Sequence, residues 1–138
     1  MRVRTQKSDI PLTKRIFLNL IPVFSPQSWE ELKRAIDAVS VQSNHPIRLY
    51  GRPIGQWDIS QVTDMSGLFF SADRFNSDLS NWDVSRVTIM VDMFRYAASF
   101  NQDLSGWDVS RVTDMRGMFA DTLSFDQKLS TWDVSRVT

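Results

Sequence analysis

The chain has 138 residues, the length of one ordinary domain, and its 42% hydrophobic content is enough for a core. Sixteen basic and sixteen acidic residues cancel, so no global field draws the chain to nucleic acid or to an anionic membrane. The absence of cysteine excludes disulfides, thiolate metal sites and a cysteine nucleophile, and it leaves the compartment open.

Residues 1–24 open with Arg2, Arg4, Lys7, Lys14 and Arg15 against Asp9. This basic start is expected to be a solubilising, partly flexible tail. The run Ile16–Phe24 falls short of the roughly 20 apolar residues of a membrane span. Asn19 and Pro22 interrupt it and no small-x-small cleavage site comes after it, so a buried extended segment is preferred to a signal peptide.

Residues 25–41 are predicted to form one helix. Ser25-Pro26 offers one start, and Ser28-Trp29-Glu30-Glu31 alternatively fits a capping box. Trp29, Leu32, Ile36 and Val39 make its apolar stripe. The stretch from Gln42 to Pro46 ends the helix, Ile47–Tyr50 is a candidate strand, and residues 51–55 lead onward. Residues 25–56 together are expected to cap the N-terminal end of a repeat array that starts at Trp57.

From Trp57 the chain repeats every 25 residues without a gap, over 57–81, 82–106, 107–131 and a partial unit at 132–138. Trp57, Trp82, Trp107 and Trp132 each open the phrase W-D-[IV]-S. Trp82 and Val84 alternate with Asp83 and Ser85, the period of a short strand with one buried face. Met65, Leu68, Phe69 and Ala72 follow the i, i+3, i+4, i+7 pattern of a helix face. Met90, Met93, Phe94 and Ala97 repeat it, as do Met115, Met118 and Phe119. Thr63, Thr88 and Thr113 stand where N-caps would, and Asp64 and Asp114 suit a first helical turn, a habit that Ile89 breaks. Phe75, Phe100 and Phe125 then form a spine under a turn. The Asn or Asp after each can bond the main chain of its own turn or of the next coil.

No single unit buries its own apolar stripe, so stacking is expected to produce a solenoid. The predicted fold class is α/β and leucine-rich-repeat-like. Short parallel strands about 4.8 Å apart would line a concave face, with short helices on the convex face and a helical cap at the N-terminus. The Trp, Met and Phe columns are read as core, each Trp hiding roughly 150–250 Å².

The phrase W-D-V-S-x-V-T-x-M-x-x-M-F-x-x-A-x-x-F-N-x-D-L-S closely resembles the repeat of the BspA-type leucine-rich-repeat surface proteins, over residues 57–138. The resemblance implies a solenoid on a cell surface or secreted, often described as adhesive and largely of unknown function. It implies no catalytic residues.

Asp58, Asp83, Asp108 and Asp133 fall in one column on the outward face of the predicted sheet. Like charges at strand spacing repel, and Arg86, Arg111 and Arg136 sit three residues on to offset them, with Gln61 in the first copy. The preferred reading bonds these Asp to backbone amides or to the Arg column. A calcium ladder and a partner-binding surface are the alternatives. The Thr column is read as caps in preference to an ice-binding array. His45 stands alone in a predicted loop, and no triad, metal-ligand spacing or phosphate loop occurs, so no enzyme and no cofactor are expected. The expected function is non-enzymatic binding of a protein or glycan at the cell surface or outside it. An intracellular scaffold and a calcium-stabilised solenoid are the alternatives. An uncapped C-terminal coil would also permit end-to-end association.

Overall fold

The computed structural model describes residues 22–41 and 50–138. The basic start, most of the apolar run Ile16–Phe24, His45 and all but Tyr50 of the expected strand at Ile47–Tyr50 lie outside the described residues.

The helix α1 spans Trp29–Val41, four residues shorter at its start than predicted. The capping box decides where it begins: Glu31 N–H donates to Ser28 Oγ at 3.2 Å, and the Glu31 carboxylate reaches back to Gln27 N–H at 2.9 Å. Leu32, Ala35 and Ile36 are fully buried, and Lys33 pairs with Asp37 on the outer face. The Trp29 indole donates to Ser66 O at 2.8 Å and ties α1 to the first repeat. Phe24 docks beside it: its carbonyl accepts from Asp58 N–H at 3.0 Å, and its ring sits 5.0 Å from Trp57 and 4.5 Å from Tyr50.

The repeats do not form the predicted alternation of strands and helices. Among the described residues α1 is the one α-helix seen whole, Tyr50 is helical where a strand was expected, a 3-10 turn spans Ile54–Gln56, and the strand content is two isolated parallel bridges, Asp64 with Ile89 and Ile89 with Asp114. No sheet lines a concave face, so the α/β, leucine-rich-repeat-like fold class is corrected.

The physical reason lies in where the amide groups go. In an α-helix every N–H finds a carbonyl four residues back. In the segment from Met65 to Ala72, alternate N–H groups leave the coil altogether. Met65, Gly67, Phe69 and Ser71 donate at 2.9 Å to the carbonyls of Ile89, Val91, Met93 and Arg95 in the next repeat. The N–H groups between them close four-residue turns: Leu68 to Met65, Phe70 to Gly67 and Ala72 to Phe69. Two of these turns place their third residue at positive φ, as type II turns require. Those residues are Gly67 (62°) and Ser71 (56°), then Asp92 (53°) and Tyr96 (61°), then Gly117 (63°) and Asp121 (55°). A lone helix of eight residues is unstable in water. It would also consume internally the bonds that hold one coil on the next.

The predicted strand fails for a related reason. Trp82 and Val84 are buried and Asp83 is exposed, so the alternation is real. However, the Asp83 carboxylate takes Ser85 N–H at 3.0 Å, and Val87 N–H turns back to Val84 O at 2.9 Å. This side-chain-to-backbone turn competes with a ladder and wins.

The core runs up the inside of the coils. In the middle repeat Trp82, Val84, Val87, Met90, Met93, Phe94, Ala97, Phe100 and Leu104 are all at most 3% exposed. Trp57, Trp107, Met65 and Phe69 are buried in the same way, while Phe75, Met115, Phe119, Phe125 and Trp132 are partly buried against the core. Phe69, Phe94 and Phe119 stack at 5.3 and 5.6 Å, and Phe75, Phe100 and Phe125 at 5.8 and 5.9 Å, with planes within 12° of parallel. Trp107 and Trp132 lie 6.4 Å apart with planes 1° from parallel. Each Trp also reaches back with its indole N–H: Trp82 to Ile54 O at 2.9 Å, Trp107 to Leu79 O at 3.0 Å, Trp132 to Leu104 O at 2.9 Å. Ile54 thus fills the place that Leu79 and Leu104 fill later, so the stacked pattern begins three residues before the first Trp.

Candidate functional site: the polar columns of the coil surface

The recurring polar residues sit on turns, and their first task is to satisfy the backbone. Asp58, Asp83, Asp108 and Asp133 each accept the N–H of the Ser two residues on, at 3.1, 3.0, 3.1 and 3.0 Å. The Ser85 and Ser110 hydroxyls add bonds of 2.6 Å to the same carboxylates. A second set comes after the Phe turn, where Asp78 and Asp103 hold Ser80 and Ser105 N–H at 2.8 and 2.9 Å. Lys128 replaces this Asp in the third unit.

These bonds set the titration of Asp58, Asp108, Asp133 and Asp78. The Ser60, Ser110 and Ser135 hydroxyls, then the Ser amides, hold the Asp58, Asp108 and Asp133 carboxyls below the usual carboxylate range. The Ser80 amide and then its hydroxyl do the same for Asp78. Repulsion along the columns exists and is outweighed: Asp133 pushes Asp108 up, and Asp103 pushes Asp78 up, each by less than the hydrogen bonds pull down.

The Arg column does not pair with the Asp column. Arg86 donates to Gln61 Oε1 in the neighbouring coil at 2.9 Å. Among the described residues the ion pairs are Lys33–Asp37, Arg95–Asp92 and Arg116–Asp114. Arg86, Arg111 and Arg136 are exposed, and they share the turn region with the exposed Asp residues. No group of three or more acidic or His residues among the described residues could hold a metal ion, so the Asp column does not make a calcium cage there.

The Thr residues do not cap helices. Thr88 and Thr113 each donate both N–H (2.8 Å) and Oγ1 (3.3 and 3.2 Å) to the Thr carbonyl one repeat earlier, and Thr138 extends the ladder with its N–H at 3.1 Å. Asp64 and Asp114, expected to favour a helix dipole, instead accept Ser66 N–H at 2.8 Å and Arg116 N–H at 3.1 Å. The Asn after each Phe bonds the next coil: Asn76 Oδ1 takes Asn101 N–H, and Asn101 Oδ1 takes Asp126 N–H, both at 2.9 Å. Gln102 and Gln127 clamp the same Asn residues from the coil above.

Concavities occur at both ends of the described coils. An open apolar cleft of about 450 Å³ lies on the last coil among Met115, Phe119, Leu129, Trp132 and Val134. A smaller one of about 200 Å³ lies between Pro53–Gln56 on one side and Ser77, Asp78 and Asn81 on the other. Sequence reasoning passed over a third feature, a group of residues that break the repeat: exposed Phe70 and Tyr96 beside half-buried Asp92 and Arg95. Laying the units over one another and marking where they differ would have found them.

Among the described residues no helix is long and apolar enough to cross a membrane. Comparison with curated proteins and with solved structures gave no match. A family model described as "Mycoplasma protein of unknown function, DUF285" matches residues 36–138, which take in the end of α1 and every repeat. The chain belongs to the DUF285 family.

Proposed function

We propose that the chain is a non-enzymatic binding module of adhesion type, displayed at the cell surface or secreted, whose stacked coils hold a protein or glycan. The observation that carries this reading is the division of labour on the coil surface. The Asp, Thr and Asn columns satisfy turns and stacking, while exposed Arg86, Arg111 and Arg136 project beside them at the same place in every coil. A regular, rigid polar ribbon of this kind is the extended surface that repeat proteins use for recognition. The binding face is this turn ribbon, which replaces the strand-lined concave sheet expected from sequence.

Two measurements test the reading. Antibody should label intact source cells without permeabilisation; labelling only after permeabilisation would replace surface display with an internal scaffold. Against arrays of matrix proteins and glycans, the Arg86→Glu/Arg111→Glu variant should lose the binding that the parent chain shows. Equal binding by both chains would remove the ribbon from the interface. Asp83→Asn/Asp108→Asn is the companion variant, because an amide oxygen keeps the turn while the charge is lost.

A further inference from the structure

The repeated Asp, Thr and Asn columns are accounted for by turns and stacking, and the Arg column repeats unchanged from Arg86 on, so the residues that break the repeat are where selectivity can be written. The middle coil breaks it most. Its Asp92 stands where the neighbouring coils have Gly67 and Gly117. Its Arg95 stands in the column of Phe70 and Ala120, and its Tyr96 in that of Ser71 and Asp121.

These substitutions converge in space. The Phe70 and Tyr96 rings meet at 5.6 Å and 88°, and they stay 47% and 39% exposed. The Arg95 guanidinium carbon lies 5.0 Å from the centre of the Tyr96 ring, and Nη2 donates to Tyr96 Oη at 3.3 Å. Nη1 of Arg95 donates to Asp92 Oδ1 at 3.4 Å. Stability gains nothing evident from the arrangement. Tyr96 holds a backbone φ of 61°, a region that bulky side chains avoid. Arg95 Nε is buried without a hydrogen-bond partner. Two large rings face water, and the bonds that join the coils here run between main-chain groups and do not use these side chains.

We infer that Phe70, Asp92, Arg95 and Tyr96 form a binding site for an uncharged sugar ring of a glycan. This inference rests on the binding reading above and names the ligand class for one site. A pyranose carries a face of C–H bonds and a rim of hydroxyls. The C–H face suits the negative face of an exposed aromatic ring, for which Phe70 and Tyr96 stand at right angles. The rim suits a carboxylate acceptor and a guanidinium donor held side by side, as Asp92 and Arg95 are. The formal charges of those two groups cancel, which gives an ionic ligand no net pull. The guanidinium already beside Tyr96 repels a cation from the aromatic corner.

The test is saturation-transfer NMR on the full chain with neutral oligosaccharides ending in glucose, galactose or mannose, beside a sialylated oligosaccharide and tetramethylammonium. Transfer to at least one neutral sugar, and none to tetramethylammonium, is expected. Phe70→Ala and Tyr96→Gly should each weaken that binding about tenfold or more, the scale of losing an aromatic anchor. Tyr96→Gly should melt no lower than the parent, because glycine accepts the positive φ freely, so its loss of binding cannot be charged to unfolding. Silence from every neutral sugar, or a preference for the sialylated one, overturns the sugar site. Undiminished binding in both variants overturns its location. In any of these cases a glycan or protein array that still responds to Arg86→Glu/Arg111→Glu leaves the broader binding reading standing.

Discussion

Helix α1 and the segment from Met65 to Ala72 both carry the apolar spacing of a helix face and fold differently. Trp29, Leu32, Ile36 and Val39 line one face of a helix whose N–H groups are satisfied within it. Met65, Leu68 and Phe69 are buried to at most 1% exposure by a chain of turns whose alternate N–H groups cross to the next coil. Side-chain spacing states which residues face inward. The partner of each amide is set by whether a neighbouring copy offers a carbonyl at the right height. One region is held by local bonds and the other by bonds to residues 24 or 25 positions away, so damage should stay local in the first and spread in the second.

The largest expected effect tests that spread. Trp107→Ala removes a 4% exposed indole, its bond to Leu79 O and its stack on Trp132. It should cost about 3–5 kcal/mol in urea unfolding. Trp29→Ala, at the half-buried end of α1, should cost about 2 kcal/mol. Equal costs would erase the distinction between the regions, and a Trp107 cost under about 1 kcal/mol would take that side chain out of the core.

A middle-sized effect sharpens the comparison with hydrogen bonds in place of packing. Asn101→Ala strips the acceptor from Asp126 N–H and from Gln127, and should cost about 1–2 kcal/mol. Hydrogen exchange should accelerate in both adjoining coils. Ser28→Ala removes the helix cap at about 1 kcal/mol, with faster exchange confined to α1. Faster exchange throughout the coils in Ser28→Ala would show that the two regions open as one unit.

These contrasts also explain what the sequence made legible. The 25-residue period, the inward Trp, Met and Phe columns and the helix ahead of the repeats could all be read because burial follows side-chain identity. The reach of the Asn to the next coil was one of two options that composition allowed, and the structure selects it at Asn76 and Asn101. The strands and helices were misread because periods of 2 and 3.6 describe facing, and turns can produce the same facing. Gly67 and Gly117 at positive φ were the clue, but Asp92 holds the same φ in the middle coil without announcing it. The Thr and Asp columns look like caps when one unit is read alone, and they become ladders and turn-formers only when units stack. The exposed cluster around Tyr96 was invisible for the opposite reason: attention to the repeat hides whatever does not repeat.

A smaller effect checks the turn geometry itself. Gly67→Ala should cost about 1 kcal/mol, because its added methyl meets nothing closer than Phe70 Cβ at 3.9 Å and only the positive φ resists it. Gly117→Ala should cost more, because its methyl would meet Asp92 Oδ1 at 2.2 Å and the carboxylate must move. Equal melting points for the two variants would mean that Asp92 is free to swing aside.

The gentlest effect is pH dependence, and it too separates the regions. The Asp58, Asp78, Asp103, Asp108 and Asp133 carboxyls of the coils are held below their ordinary range by the Ser two residues on, and Asp114 by the Arg116 side chain. In α1 the Glu30 carboxyl is lowered, first by a backbone hydrogen bond and then by Ser28. A carboxyl whose folded pKa is depressed lends stability that is fully present above its unfolded pKa, about 3.9 for Asp, and disappears as pH falls through the lower folded value. The melting temperature should therefore be level well above that range and fall on acidification through and below it, with the coils leading. Asn at these positions keeps an acceptor oxygen for the Ser amide and cannot titrate. Melting the Asp58→Asn/Asp108→Asn/Asp133→Asn variant across the same range should give a shallower acid limb than the parent. An acid limb as steep as the parent's would shift the acid sensitivity away from this column and leave the Asp–Ser turns with a geometric role alone.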